Sequence, residues 1–383
     1  MPLTTSRRGQ ISPFLVMDVM ESARQIEAEG RDIVHMEVGQ PGTPAPRTAL
    51  DAVTARIAAG EPLGYTVALG LPELREGIAG LYRARYGLVI EPGRIVVTAG
   101  SSGAFILAFL ALFDRGQRIA LADPGYPAYR NILAALDLDP VRIKTSLGTR
   151  FQPVTEDLDK AGTVDGLLVA SPANPTGTML DRAALTALSE WCRQRGTVLI
   201  SDEIYHGLTY GMEAVTALEV DDDAIVINSF AKYFSMTGWR IGWMVVPSGL
   251  VRTVENLAQN LFICPSHASQ VAAIGALSGS EELEGHREVY AANRERLMDA
   301  LPRLGFRDLA PADGAFYIYA DITAFSNDSA DFSARLLHDA GVAATTGLDF
   351  DPDRGAQTIR FSFARTETEI IEGIRRLEAY LKR

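Results

Sequence analysis

Side chains able to bind or react with a single ligand follow four of the strands predicted in this chain. The first strand is followed by small residues that precede a helix, where free backbone N–H groups favour an anion. An amide follows the second strand, a carboxylate and a phenol follow the third, and a lysine follows the fourth. In chain order these residues are Ser101 and Ser102, Asn174, Asp202 and Tyr205, and Lys232. Together they suit a ligand with a phosphate, a basic nitrogen and an electrophilic carbon.

The elements that must position these residues follow an α/β pattern. Short apolar runs alternate with helical stretches, and most runs are continuous, as expected of strands covered on both faces. This pattern predicts a mainly parallel sheet between helices, and ligands of such sheets bind beyond the carboxyl ends of the strands. The predicted strands are residues 94–98, 118–122, 166–170, 197–201, 224–228 and 241–246, with helices that include 103–112 and 182–195.

A change of pattern after about residue 285 predicts two units. The large unit, residues 45–285, contains the sheet, and a smaller α+β unit combines residues 1–44 with 286–383. The N-terminal segment has a helix but no obvious place in a sheet. The smaller unit is expected to contain helices at residues 17–29, 289–304, 331–340 and 366–381 and a strand-like stretch within 314–321.

Composition and charge exclude several classes of function. Hydrophobic residues make up 47% of the 383 and charged residues 22%, which is typical of a globular protein. The net charge of −12 argues against a nucleic-acid surface. The N-terminus lacks an apolar signal core and no apolar run could span a bilayer, so we expect no membrane segment. Two cysteines without a paired spacing indicate a reducing cytoplasm, and the five histidines have no metal-ligand spacing.

Each chemical feature is weak alone, because a Gly/Ser turn or an aspartate after a strand is often only a helix cap. The stretch from Ser229 through Lys232 and Arg240 is more specific. It reads SFAKYFSMTGWRIG and resembles the lysine signature of class I/II aminotransferases of fold type I. Other stretches also resemble this family, so the resemblance covers nearly the whole chain. They are residues 65–79, 123–129, 171–177, 201–205, 311–321 and 359–364.

The resemblance implies pyridoxal 5′-phosphate (PLP) as cofactor, held as a Schiff base by the amine of Lys232. Asp202 would keep the pyridine nitrogen protonated, which makes the ring an electron sink. Asn174 and Tyr205 would donate hydrogen bonds to the phenolic oxygen. Tyr126 would stack on the ring, although a core aromatic is the alternative. The expected phosphate ligands are Ser101, Ser102, Ser229 and Arg240.

The same resemblance assigns the substrate's α-carboxylate to Arg360, with Gly39 and Asn174 beside it. Arg360 is a single charge in an apolar run, and such a charge needs a partner. A structural ion pair is the alternative to a bidentate clamp on the substrate. Gln40 departs from the acidic residue more usual after this glycine. Tyr65 resembles the tyrosine that reaches a phosphate in the neighbouring subunit, which implies a homodimer.

Substrate choice is less well encoded. Aspartate-using relatives carry a cation for the second carboxylate, in some of them at the position of Ser102, and the stretch 257–269 also lacks Arg and Lys. The sequence therefore favours a substrate other than a dicarboxylic amino acid. An apolar pocket could be lined by Phe14, Tyr126 and Phe262.

Three functions remain open from the sequence. The first is an aminotransferase that moves an amino group from an L-amino acid to a 2-oxo acid. The second is a β-lyase that cleaves C–S bonds and needs the same Lys232, Asp202 and Arg360. The third, a non-enzymatic PLP-binding regulator, would carry an extra DNA-binding domain, whereas the catalytic fold uses nearly the whole of this chain. We expect the aminotransferase.

Overall fold

Helices and strands alternate through most of the computed structural model, which describes residues 3–382. The helices are α1 (Leu15–Ala28), α2 (Arg47–Ala58), α3 (Pro72–Tyr86), α4 (Gly100–Leu112), α5 (Pro127–Ala135), α6 (Thr155–Ala161), α7 (Arg182–Arg195), α8 (Val251–Leu261), α9 (His267–Ala276), α10 (Ser280–Leu304), α11 (Ser329–Arg335) and α12 (Glu367–Leu381). The strands are β1 (Val34–His35), β2 (Ile95–Thr98), β3 (Arg118–Asp123), β4 (Asp139–Lys144), β5 (Gly166–Ala170), β6 (Val198–Asp202), β7 (Ile225–Ser229), β8 (Gly242–Val245), β9 (Tyr317–Asp321), β10 (Val342–Ala343), β11 (Thr345–Thr346) and β12 (Thr358–Ser362).

The main sheet has seven strands in the order β2-β8-β7-β6-β5-β3-β4. Strands β2, β7 and β8 are buried along their whole length, as expected where helices cover both faces of a sheet. Alternate side chains of one strand point to opposite faces. Ile95 and Val97 of β2 accordingly join one apolar cluster, whereas Val96 joins another.

The carboxyl ends of four strands meet at one edge of this sheet. Every pair of neighbours is parallel except those that involve β8, which runs antiparallel to both β2 and β7. Strands β2 and β7 are therefore parallel to each other and to β5 and β6. The loops that follow these four strands carry the residues singled out by the sequence, and the fold brings them together.

A second sheet contributes one wall of the same region. Strands β11, β12 and β9 pair antiparallel in that order, and Arg360 on β12 lies between Thr345 and Tyr319. Near the N-terminus, β1 pairs in parallel with β10. The expectation that the N-terminal segment has no place in a sheet is therefore wrong. Its two-residue strand is too short to leave a pattern in the sequence.

Helix α1 is fixed in place by a carboxylate from the far end of the chain. The N–H groups of Leu15 and Val16 donate to the side chain of Asp349 at 3.0 and 3.1 Å. Phe14, at the N-cap position, cannot cap the helix with its own side chain. Asp349 thus satisfies two N–H groups that would otherwise lack a partner and holds the start of α1 near the sheet edge.

The predicted fold class is confirmed. The predicted strand 166–170 and helix 182–195 match residue for residue. Strand β4 escaped prediction because it is an edge strand with charged, partly exposed residues. The boundaries predicted between two units, at residues 45 and 286, stay predictions. No helix within residues 3–382 is long and apolar enough to cross a membrane.

Candidate active site

The convergence of strand ends leaves a cavity of about 160 Å³ between the main sheet, the small sheet and α1. All the residues that the sequence predicts to act in catalysis or to bind cofactor or substrate line this cavity, except Ser229 and Tyr65. They are Gly39, Ser101, Ser102, Tyr126, Asn174, Asp202, Tyr205, Lys232, Arg240 and Arg360. Residues up to 321 positions apart in the chain thus share one wall.

The start of α4 forms an anion-binding end of the cavity. The helix begins at Gly100, directly after β2, so its first N–H groups have no partner within the helix. The guanidinium of Arg240 lies against this turn, since a Cβ on Gly100 would come within 2.6 Å of its Nη2. Gly100 also has a φ of +70°, which favours glycine. A helix N-terminus, the hydroxyls of Ser101 and Ser102, and a guanidinium together suit a phosphate.

Lys232 enters the cavity from the loop after β7. Its Nζ donates to the carbonyl of Gly39 at 2.6 Å and lies 5.6 Å from the centre of the Tyr205 ring. Burial, helped by the positive charge of Arg360, lowers the pKa of Lys232 to about 8. A substantial fraction of the amine is therefore neutral in mildly alkaline solution, as a nucleophile or a base requires.

Asp202 ends β6 and is 2% exposed. Its carboxylate accepts hydrogen bonds from the hydroxyl of Tyr129 and from the N–H of Ile204. Burial raises its pKa to about 6, although these two donors oppose the rise. Both partners are neutral, and no basic side chain within residues 3–382 forms an ion pair with it. A cationic group of a ligand would satisfy this buried charge.

Tyr129 is a site residue that the sequence reasoning did not single out. It lies in the first turn of α5, three positions after Tyr126, which is the N-cap residue of that helix. This three-residue spacing is the feature of the sequence that could have identified Tyr129 as a site residue. Tyr126 lies on the cavity wall and packs edge-on against Tyr129 and Phe14, with ring centres 5.3 and 5.7 Å apart.

Asn174 and Tyr205 reach the cavity from the ends of β5 and β6. The Oδ1 of Asn174 accepts a hydrogen bond from Arg360 at 2.8 Å. The hydroxyl of Tyr205 lies 2.7 Å from that of Tyr317, a second residue that the sequence reasoning did not assign. The amide nitrogen of Asn174 forms no hydrogen bond within residues 3–382. Both residues can therefore donate to an oxygen of a ligand.

Arg360 is 1% exposed and has no carboxylate partner among the described residues. Its guanidinium donates to Asn174 and to the carbonyl of Glu37, while its Nε is buried without a partner. The rings of Tyr317 and Phe350 lie 4.3 and 4.7 Å from the guanidinium carbon. The structural ion pair that the sequence left open is thus not formed, and the charge is available to a carboxylate of a ligand.

Two predicted residues lie away from the cavity wall. The hydroxyl of Ser229 donates to the carbonyl of Ile241 and accepts from the N–H of Ala231, at 3.2 and 3.0 Å. It braces the loop that carries Lys232. Tyr65 is 83% exposed. The phosphate roles of Ser229 and Tyr65 stay predictions.

The rest of the wall is largely apolar. Helices α1 and α5 supply side chains that the sequence reasoning mostly missed, because no local pattern shows which face of a helix meets a cavity. These side chains are Phe14, Val16, Met17 and Ile132. The cationic side chains on the wall are Lys232, Arg240 and Arg360. Phe262 does not line the cavity and packs against the apolar cluster that contains α4.

Known proteins are similar to this chain in sequence and in fold. The family described as "Aminotransferase class I and II" matches residues 31–377. The valine–pyruvate aminotransferase of Mycobacterium tuberculosis is 46% identical over 379 residues, which cover 98% of this chain and 97% of that protein. The crystal structure of an aminotransferase from Mycobacterium tuberculosis has a TM-score of 0.97 at 45% identity and covers 100% of both chains. The aspartate aminotransferase from Thermus thermophilus with maleate has a TM-score of 0.92 at 30% identity, over 99% of this chain and 100% of that one.

The fold and these likenesses define an enzyme that transfers amino groups with PLP. The chain belongs to the class I and II aminotransferase family, and its activity falls in the class EC 2.6.1. Transamination, the first of the three functions that the sequence left open, is therefore confirmed. Its substrates are amino acids and 2-oxo acids.

Proposed function

We propose that this aminotransferase moves the amino group of an apolar L-amino acid such as valine to pyruvate or a similarly small 2-oxo acid. The observation that carries the proposal is the cavity wall, where α1 and α5 supply apolar side chains and where Lys232, Arg240 and Arg360 are the cations. A second carboxylate on the substrate would have no cation of its own. Burying it without one costs several kcal/mol, by general magnitudes on the order of 3–5. The name of the valine–pyruvate relative supports the same pair of substrates.

The residues of the cavity fit PLP as the resident cofactor. The start of α4 and Arg240 would hold its phosphate, and Asp202 would pair with its pyridine nitrogen. Asn174 and Tyr205 would donate to its phenolic oxygen. The fit rests on the buried carboxylate of Asp202, which has no cationic partner within residues 3–382. It also rests on the turn at the start of α4, where the guanidinium of Arg240 lies so close to Gly100 that a Cβ there would collide with it.

The chemistry of the proposed reaction is divided between the cofactor and the protein. When bound, PLP supplies an electron sink for the charge that develops at the substrate Cα. Lys232 would hold the cofactor covalently, and its freed amine would remove the proton from Cα. Its pKa of about 8 leaves part of the amine neutral for this task. Arg360 would clamp the α-carboxylate through paired N–H groups, and Asp202 would keep the pyridine nitrogen protonated.

We also propose a homodimer, in which Tyr65 reaches the phosphate in the neighbouring subunit. Tyr65 is exposed beside Val67, and Leu261 and Ile263 are exposed as well. The N–H of Thr66 donates to the sulfur of Cys264 at 3.4 Å, so these apolar side chains belong to one surface region. Such an exposed patch is typical of an interface. Light scattering should give twice the mass of the chain, and a monomer with full activity would refute the proposal.

We place the enzyme in the cytoplasm, as its cysteine content indicates.

The substrate proposal is tested with half-reactions of the purified holoenzyme. Valine, alanine and aspartate are mixed with it separately, and the absorbance of the lysine-bound cofactor is followed. Valine should remove this absorbance and pyruvate should restore it, while aspartate should react slower by about 10²-fold or more, as expected for an unpaired buried charge. Aspartate that reacts as fast as valine would refute the proposal.

A variant of the apolar wall provides a second test. Met17 lies on the wall but is 47% exposed, so a lysine can replace it without losing all its water. Met17→Lys should raise the rate with aspartate relative to valine, because it offers the second carboxylate a cation. Ile371→Lys, at an exposed site on α12 that does not line the cavity, is the matched control and should leave the ratio unchanged.

A further inference from the structure

Tyr317 lies where three predicted site residues from different parts of the fold meet. It is the first residue of β9 in the small sheet and is fully buried. The pairing of β9 with β12 places Tyr319 opposite Arg360. Alternate residues of a strand share a face. Tyr317, two residues before Tyr319, therefore lies on the same face of the sheet as Tyr319 and Arg360.

The contacts of Tyr317 join the cofactor side of the cavity to the substrate side. Its hydroxyl lies 2.7 Å from the hydroxyl of Tyr205, and its ring centre lies 4.3 Å from the guanidinium carbon of Arg360. Its hydroxyl also lies over Gly39, where any Cβ would overlap it. Glycine at position 39 is therefore what allows Tyr317 to occupy this place.

The direction of the hydrogen bond between the two phenols follows from the proposed role of Tyr205. Burial raises the pKa of both Tyr205 and Tyr317, so both keep their protons at neutral pH. If Tyr205 donates its proton to the phenolic oxygen of the cofactor, its own oxygen must accept from Tyr317. A hydroxyl that accepts one hydrogen bond donates the next more strongly.

We propose that Tyr317 is a positioning residue for the transamination. Its hydroxyl orients and polarises Tyr205 toward the cofactor, while its ring supports Arg360 at the substrate carboxylate. This inference rests on the proposed function, since it requires the cofactor at Lys232 and the donor role of Tyr205. The alternative is that Tyr317 only fills space, in which case its hydroxyl has no effect on the cofactor.

The test removes only the hydroxyl and reads the cofactor by its absorbance. Holoenzymes carrying Tyr317→Phe, Tyr205→Phe and both changes are titrated with pH, and the apparent pKa of the bound cofactor is taken from its spectrum. Tyr319→Phe is the matched control, because Tyr319 is equally buried on the same face of β9 but bonds Thr358 outside the cavity. Tyr317→Phe should raise the apparent pKa by about 0.5 pH unit, the scale of part of one neutral hydrogen bond.

The double variant separates a relay through Tyr205 from an independent effect. If Tyr317 acts through Tyr205, adding Tyr317→Phe to Tyr205→Phe should cause no further rise. Shifts that add, or no shift in Tyr317→Phe while Tyr205→Phe shifts, would overturn the inference and leave the proposed function intact. No shift in either variant would overturn the donor role of Tyr205 and the inference with it. A shift in Tyr319→Phe as large as that in Tyr317→Phe would show a general effect of lost packing and would also overturn it.

Discussion

Replacing Arg360 with lysine tests the carboxylate clamp and separates it from a structural role. The change keeps the positive charge but loses the paired N–H geometry that matches a carboxylate. Truncating one partner of a buried charge pair costs about 2–5 kcal/mol. Because lysine retains the charge, we expect Arg360→Lys to cost about 2–3 kcal/mol of transition-state stabilisation. This cost corresponds to about a 30- to 150-fold loss in kcat/KM.

The loss in kcat/KM should appear mainly as a higher KM, because Arg360 holds the carboxylate in the ground state and the transition state alike. Steady-state kinetics with valine and pyruvate measure it, and the cofactor absorbance and the unfolding midpoint serve as internal checks. Arg365→Lys is the matched control, since Arg365 follows the same strand and donates to the carbonyl of His35, outside the cavity. A stability loss in Arg360→Lys with KM unchanged would refute the clamp and favour a structural role.

Two further predictions concern Asp202, which is buried, and His35, which is partly buried. Asp202→Asn should lower kcat by about 10²–10⁴, because the pyridine nitrogen loses its charged partner. Single-turnover absorbance with valine measures this, and a loss below tenfold would contradict the role. His35 hydrogen-bonds Glu37 and Glu27 at 2.9 and 3.0 Å, and chiefly the bond to Glu37 raises its pKa from 6.5 to about 9. The resulting stability, at most about 3 kcal/mol, is full below pH 6.5 and is lost as pH rises through 9. The free energy of unfolding, measured with denaturant between pH 6 and 10, should therefore fall more steeply with pH in the wild type than in His35→Gln. Equal slopes in the two proteins would contradict the role assigned to His35.

The residues that the sequence predicted well are those placed by local pattern. Asp202 and Lys232 each follow a continuous apolar strand, and a parallel sheet brings such positions to one edge whatever the details of packing. The start of a helix at Gly100 is likewise predicted from a short stretch of sequence, without knowledge of distant segments. For these residues the order of strands along the chain was enough to predict a common site.

The residues that escaped prediction depend on pairings between distant segments. Tyr317 meets Arg360 because of the register between β9 and β12, and register leaves no mark on either strand alone. Asp349 caps α1 across more than 330 residues. Tyr129 reaches Asp202 only once α5 is packed on the sheet. A pattern read along the chain predicts the elements, whereas these contacts follow from how the elements pack.

The covalent role of Lys232 is the central claim, and mapping the bound cofactor tests it most directly. Holoenzyme is treated with borohydride, which fixes a cofactor joined to an amine, and is then digested and analysed by peptide mass spectrometry. The mass of the reduced cofactor should appear on the peptide that contains Lys232 and should be absent from Lys232→Ala. A label on another lysine, or a Lys232→Ala enzyme that keeps full turnover, would contradict the account.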